Sequence, residues 1–450
     1  MTRYDIGVLG AQVALPDGLR RVDLGLRGGR FAAVETGIDP PDCGDVVDAT
    51  GLTALPGIFD AHNHPYYDDD LVEFASSAAY GGITTLLSFA GTHMAHVPAV
   101  PPSAIDVATD FIAQAANLVP LDYGVHSIVG PGDDPDSTVG RLQELGITSV
   151  KMFLAFPGRR MLDDATVLTF MQAAARRGML CMVHCENGPA TTLLERQAIE
   201  HGHNLPLDYA ASRPATLESE AVYRALALAE IAGVACYLVH LSCAQSLDVV
   251  ETFRARANIP IWVETCPHYL LLDESDLDRL GGLAKISPPL RTSSDAEILW
   301  QAVGDGVVNV IASDCSGQKR KPKQVADIFA APYGIPGVEH MLPLMWQHIV
   351  NERKFGPGVL AERMSRAPAD IFGVAGKGRI EVGRDADLVL IDPELTWAVR
   401  AADQHGNSDY SLYEGSQLRG RPVHTIRRGQ HLLRDGELSA DIDAGIYLSR

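Results

Sequence analysis

Eight short apolar runs rich in β-branched residues alternate with stretches of helical period across residues 55–315, and this alternation constrains the fold more than any other feature. The runs occupy residues 55–62, 83–89, 123–129, 147–154, 179–184, 235–241, 259–264 and 308–313. Near-continuous apolar runs mark parallel strands buried on both faces, and each parallel crossover needs a helix. Segments 163–177 and 217–232 have the helical period that such crossovers require. Eight strand–helix units in series predict an α/β fold, a (β/α)8 TIM-like barrel. An open doubly wound sheet is the competing architecture, but no glycine-rich phosphate loop follows the first run.

The two ends of the chain read differently. Short apolar runs at 6–9, 22–26, 31–34 and 46–47, and again at 380–382, 388–391, 423–427 and 430–433, are separated by Gly and Pro. Short strands with turns and little helix predict a small β-sandwich domain built from both termini, residues 1–54 and 378–450, beside a barrel domain of residues 55–377.

Composition narrows the partners. A net charge of 37 − 57 = −20 argues against nucleic acid and anionic membranes, which need a basic footprint. No apolar run approaches the roughly 20 residues of a membrane span, and the opening Met1-Thr2-Arg3-Tyr4-Asp5 lacks the layout of a secretory signal. The seven cysteines are odd in number, and Cys181, Cys185, Cys236 and Cys243 sit in or beside apolar runs. They read as buried free thiols in a reducing cytoplasm. A zinc site at Cys181, His184 and Cys185 is disfavoured, because strand alternation turns both thiols away from the imidazole.

The chemistry begins at Asp60-Ala-His62-Asn-His64, which closes the first run. Side chains two apart on a strand share a face, so both imidazoles can reach one ion. The motif alone is weak: 15 His in 450 residues give on the order of 0.5 His-x-His pairs by chance. His201 and His203 form a second such pair in a polar stretch with no chemical context. Position separates the two pairs. Lys151 lies in the fourth run, His184 ends the fifth, His240 the sixth and Asp314 the eighth, and the C-terminal ends of barrel strands form the face that carries active sites. Lys151 is notable because burial inside an apolar strand penalises the ammonium. A neutral lysine can take up carbon dioxide as a carbamate whose two oxygens bridge two metals; a Lys151–Asp314 ion pair is the alternative.

These residues sit in Leu55-Pro-Gly-Ile-Phe-Asp-Ala-His62-Asn-His64, Gly81-Gly-Ile-Thr-Thr85, Ser149-Val-Lys151-Met-Phe-Leu154, Val183-His184-Cys-Glu-Asn187 and Val239-His240-Leu-Ser242. Further on come Glu264-Thr-Cys-Pro-His-Tyr269, Lys285-Ile-Ser287-Pro-Pro-Leu-Arg291, Ser313-Asp314 and Gly378-Arg-Ile-Glu-Val-Gly-Arg-Asp-Ala-Asp-Leu-Val-Leu390. Over nearly its whole length the chain resembles the cyclic-amidohydrolase branch of the amidohydrolase superfamily, the dihydropyrimidinases, hydantoinases and their relatives. The resemblance implies two divalent metal ions, Zn2+ by preference, one held by His62, His64 and Asp314 and the other by His184 and His240. Carboxylated Lys151, carrying carbon dioxide as its carbamate, would bridge them. A metal-bridging hydroxide would attack a ring amide, with Asp314 as general base and then acid. A homo-oligomer, a tetramer, is also implied.

The substrate positions depart from the pattern. Similar enzymes carry a Tyr shortly after the bridging lysine where this chain has Phe156, and an Asn after the last strand where it has Tyr333. Ser287 keeps its place and is expected to hydrogen-bond the ring. Dihydroorotases and allantoinases tend to carry Arg or Asn soon after the first His pair, whereas here Pro65-Tyr66-Tyr67-Asp68-Asp69-Asp70 follows, and the Tyr pair suits an apolar pocket. The expected substrate is a small cyclic amide: a hydantoin or dihydropyrimidine with an apolar substituent, or a related cyclic imide or ureide. The alternatives are an enzyme for allantoin, dihydroorotate or an acyclic amide, or a catalytically silent structural relative. The basic run from Lys319 to Lys323 reads as a solvated loop, and Gly376-Lys-Gly378 as a turn.

Overall fold

The computed structural model of the protein describes residues 2–15, 18–67, 70–91 and 102–450; Asp68 and Asp69 lie outside them. Among these residues Ile58–Asn63, Ile83–Ala90, Asp122–Ile128, Ser149–Phe153, Leu180–His184, Cys236–Leu238, Ile261–Thr265 and Val310–Ile311 form one eight-stranded sheet. Each neighbouring pair is parallel and follows chain order. The sheet closes on itself where the His64 amide donates to the Cys315 carbonyl and the Asp314 amide to the His62 carbonyl, both at 2.8 Å. The expected barrel is present, and each of the eight runs supplies one of its strands.

Why the strands are apolar throughout is visible in their alternation. Val150, Met152, Cys181, Val183, Cys236 and Leu238 face outward into the core shared with the surrounding helices. Phe59, Ala61, Leu87, Phe89, Met182, Tyr237 and Val310 face the barrel interior. Lys151 and His184 fall on the inward parity, and Cys181 and Cys185 on the outward one. The helix Asp164–Ala175 shows how the covering layer is specified: the Asp163 side chain caps its start by accepting from the Thr166 amide, and Val167, Phe170, Met171 and Ala174 make its buried stripe.

The other sheet has nine strands among the described residues. Tyr4–Leu15, Gly18–Arg27, Arg30–Glu35, Cys43–Asp48 and Thr53–Pro56 join Leu388–Ala398, Gln417–Arg427, Gln430–Arg434 and Glu437–Leu438. The first strand forks, pairing with Cys43–Asp48 through its first half and Thr53–Pro56 through its second. The sheet thereby wraps a core that includes Val8, Val13, Leu24, Val47, Leu390 and Ile426.

Three local expectations are corrected. Residues 55–62 are not one strand: Thr53–Pro56 pairs with Leu388–Ala398 in the second sheet, and the chain crosses to the barrel at Gly57, where any side chain would collide with Thr84. Residues 380–382 form no strand; Ile380 fills the second core while Val382 is 60% exposed on the turn before Gly383. The run from Lys319 to Lys323 is not simply solvated. Lys323 is fully buried, and its ammonium donates to the carbonyls of Lys285 and Pro332, each at 3.1 Å, and of Gly334, which replace water. All seven cysteines are buried free thiols, and among the described residues no helix is long and apolar enough to cross a membrane.

Candidate metal centre

The barrel's C-terminal rim holds a cavity, and His62, His64, Lys151, Phe156, His184, His240, Ser287, Asp314 and Tyr333 all line it. His201 and His203 lie elsewhere on an exposed surface, their rings 6.3 Å apart. The strands carrying His240 and Asp314 end earlier than the sequence suggests, at Leu238 and Ile311. Both residues sit beyond the ladder in left-handed backbone, with φ of 40° and 46°, and Phe156 does likewise at 64°. Such conformations disfavour side-chain-bearing residues and persist where the surroundings over-determine them, commonly at functional sites.

Two donor groups converge in the cavity. His62 Nε2 lies 2.9 Å and His64 Nε2 3.2 Å from the same Asp314 oxygen, and the two imidazole nitrogens are 3.2 Å apart. On the adjoining wall, His184 Nδ1 and His240 Nε2 face each other at 3.0 Å. Partners behind the rings fix which nitrogen is offered. His62 Nδ1 meets Glu264 at 2.6 Å, and Glu264 also accepts from the Tyr237 hydroxyl at 2.8 Å and the His240 amide at 2.9 Å. His184 Nε2 meets Glu186 at 2.8 Å, and His64 Nδ1 meets the Tyr66 hydroxyl at 2.9 Å. A ring whose far nitrogen can donate to such a partner is able to exchange its near proton for a metal ion.

The electrostatics favour a cation. Burial opposes a charge on His62, but the Glu264 and Asp314 carboxylates outweigh it and lift its pKa to about 9. The same negative field would favour a divalent ion in place of that proton. Burial would raise the Asp314 carboxyl, yet His62 and the hydrogen bonds from both imidazoles hold it well below its ordinary range, so it stays ionised. Desolvation drives Lys151 down to about 8, against the pull of Glu264 and Asp314. Among the described residues no carboxylate oxygen lies within ion-pairing distance of its ammonium; the flanking groups are the Phe89 and Phe153 rings, 4.9 and 5.2 Å away. Convergent imidazole nitrogens, an ionised carboxylate and a buried amine without a carboxylate partner are chemically what a divalent-metal site requires. Cys266 and His268 also bring donor atoms close to Asp314, the three within 4.8 Å of one another.

Sequence reasoning overlooked the groups behind the ligands. Glu264 was signalled by a carboxylate ending an apolar strand. Arg213, in the short link between the helices Pro206–Ala211 and Ala215–Ala232, gave no periodic signal, yet it is buried with Nη1 3.1 Å from both Glu186 oxygens and Nη2 3.2 Å from the Tyr333 hydroxyl. Ser287 lines the cavity, but its hydroxyl donates to Glu186 and lies 3.2 Å from Arg213. Tyr66 and Tyr67 stack at 5.3 Å along the cavity wall.

Comparison with known proteins agrees with this arrangement. The model of the amidohydrolase family matches residues 53–432. The chain is 35% identical to a D-hydantoinase of Ralstonia pickettii over 99% of both chains, and 35% identical to an allantoinase of Rubrobacter xylanophilus over 97% of this chain and 96% of the relative. A solved D-hydantoinase structure superposes with a TM-score of 0.92 at 34% identity, covering 99% of each chain. With its barrel, its convergent His/Asp donors and these relatives, the chain belongs to the amidohydrolase family, in the cyclic-amidohydrolase branch, and is a metal-dependent hydrolase.

Proposed function

We propose that the protein opens the ring of a hydantoin or dihydropyrimidine bearing an apolar substituent, or of a related cyclic imide, using two Zn2+ ions. His62, His64 and Asp314 would hold one ion, His184 and His240 the other, and Lys151 would bridge them as its carbamate. The observation that carries this reading is Lys151: a buried amine with a lowered pKa and no carboxylate partner, set among four imidazoles and an aspartate. When bound, such ions make water nucleophilic near neutral pH and polarise a carbonyl.

The chain's own residues account for the rest. Asp314, kept ionised beside the imidazoles, accepts the proton of the attacking water and returns it to the departing ring nitrogen. Glu264 and Glu186 hold His62 and His184 in fixed tautomers. Tyr66, Tyr67, Ile128, Phe153, Phe156 and Ile286 give the cavity an apolar side that suits a ring substituent and excludes water. Zinc is favoured by the imidazole-rich donor set. The homotetramer rests on resemblance alone and is tested by light scattering; the seven free thiols support a reducing, cytoplasmic setting.

The test is a hydrolysis panel on the zinc-loaded protein: 5-phenylhydantoin, dihydrouracil, glutarimide, allantoin and an acyclic amide. Preference for the substituted hydantoin is expected, and turnover of allantoin alone would overturn the substrate assignment. Labelled carbon dioxide should give a carbamate carbon resonance that Lys151→Ala lacks; its absence from the wild type would remove the bridging role.

A further inference from the structure

The cavity contains a hydrogen-bond donor whose proton is accepted by none of the described residues. The Tyr333 oxygen lies 3.2 Å from Arg213 Nη2. A guanidinium has no acceptor, so the phenol can only accept from it and must direct its own hydrogen elsewhere. Among the described residues no acceptor takes that hydrogen, and the side chain lines the same cavity as Lys151, His184 and Asp314.

The ring and its anchor are fixed. Lys285 stands 4.5 Å over the Tyr333 ring, and Phe156 meets that ring edge-on at 5.6 Å. Arg213, only 3% exposed, is pinned by both Glu186 oxygens at 3.1 Å and by Glu195 at 3.5 Å. Burial raises the Tyr333 pKa, so the phenol remains a donor. Ser287 gives its hydrogen to Glu186 and Phe156 has none to give, while Tyr66 pairs with the ring of His64, one of the candidate ligands.

We propose that the Tyr333 hydroxyl, aimed by Arg213, donates the hydrogen bond that orients a ring carbonyl of the substrate. The donor is thus supplied from the loop after the last barrel strand, and the apolar ring at position 156 packs against it. This inference deepens the proposed hydrolysis and rests on the same cavity holding the ring.

The experiment compares zinc-loaded full-length wild type, Tyr333→Phe and Tyr333→Phe/Phe156→Tyr. It reads kcat and KM on 5-phenylhydantoin, metal content, and the calorimetric Kd for that hydantoin. Tyr333→Phe should lower kcat/KM by about tenfold to a hundredfold, the scale for losing one donor to a developing negative charge. The loss should appear in both kcat and KM, with metal content unchanged. Returning a phenol at position 156 in that background should recover part of the loss. The assignment is overturned if Tyr333→Phe retains wild-type kcat/KM, or if its deficit merely follows lost metal. Should the wild type bind the hydantoin without hydrolysing it, a Kd weakened by Tyr333→Phe upholds this donor while the proposed reaction falls. An unchanged Kd, or no binding, sinks the donor.

Discussion

Two buried lysines at opposite ends of the barrel show what pairing does to the same side chain. Lys151, at the rim, has no carboxylate within ion-pairing distance among the described residues, and desolvation brings its pKa to about 8. Lys377 bonds Asp122, at the start of the third barrel strand, and lies 2.7 Å from Asp387 and 3.2 Å from Asp385. Burial opposes its charge too, but three carboxylates outweigh it and raise its pKa well above the ordinary value. Both side chains are about 1% exposed. Burial therefore does not decide reactivity; the carboxylates do. An amine without them is available for chemistry, while one surrounded by them ties a barrel strand to the segment entering the second sheet.

The largest effect that could break this contrast is at Lys151. Lys151→Ala should abolish turnover by about a thousandfold or more, the equivalent of several kcal/mol of metal-derived stabilisation. Metal analysis should show lost ion, while the melting temperature stays close to wild type. A variant that keeps its activity would place Lys151 with the structural lysines. Lys377→Met should do the reverse: urea unfolding is expected to show a loss of about 3–5 kcal/mol, because the aspartates are left buried without their cation. The folded fraction should keep its kcat and metal content, and a catalytic defect without destabilisation would contradict the division.

Smaller effects sharpen the comparison. Glu264→Gln should weaken metal affinity by about 10–100-fold while leaving the fold intact, as expected for a partner that orients a ligand. Competition with a chelator measures it, and unchanged affinity would mean that His62 holds its tautomer without help. The smallest effect concerns pH. Since the Lys377 pKa is higher folded than unfolded, its contribution is complete below about 10.4 and declines as pH rises through the folded value. The stability gap between wild type and Lys377→Met should narrow in urea titrations above that pH; a gap that widens would reverse the sign.

The rim side of this contrast is legible in the sequence. Runs of buried strand residues located all eight barrel strands, and the rule that strand ends form one face gathered Lys151, His184, His240 and Asp314 around His62 and His64. The exits at His240 and Asp314 were less legible, because left-handed backbone at a non-glycine residue leaves no mark in composition. Lys377 reads as an ordinary turn residue between two glycines, and Lys323 as part of a solvated basic run. Their burial depends on carboxylates and carbonyls far away in sequence, and local pattern carries no record of them. Arg213 escaped for the same reason: both Glu186 and Tyr333 reach it only in the folded chain.

The seam where the barrel closes has a consequence for how the protein matures. The first and last strands meet through backbone bonds between His62 and Asp314 and between His64 and Cys315, and Ser313 reaches Asp60 across 253 positions. Contacts this distant form late, after the intervening chain has been ordered. A chain whose eighth strand has not docked holds the two imidazoles of the first strand without the carboxylate they share. Were the proposed ion held at that site, its uptake would register completion of the barrel.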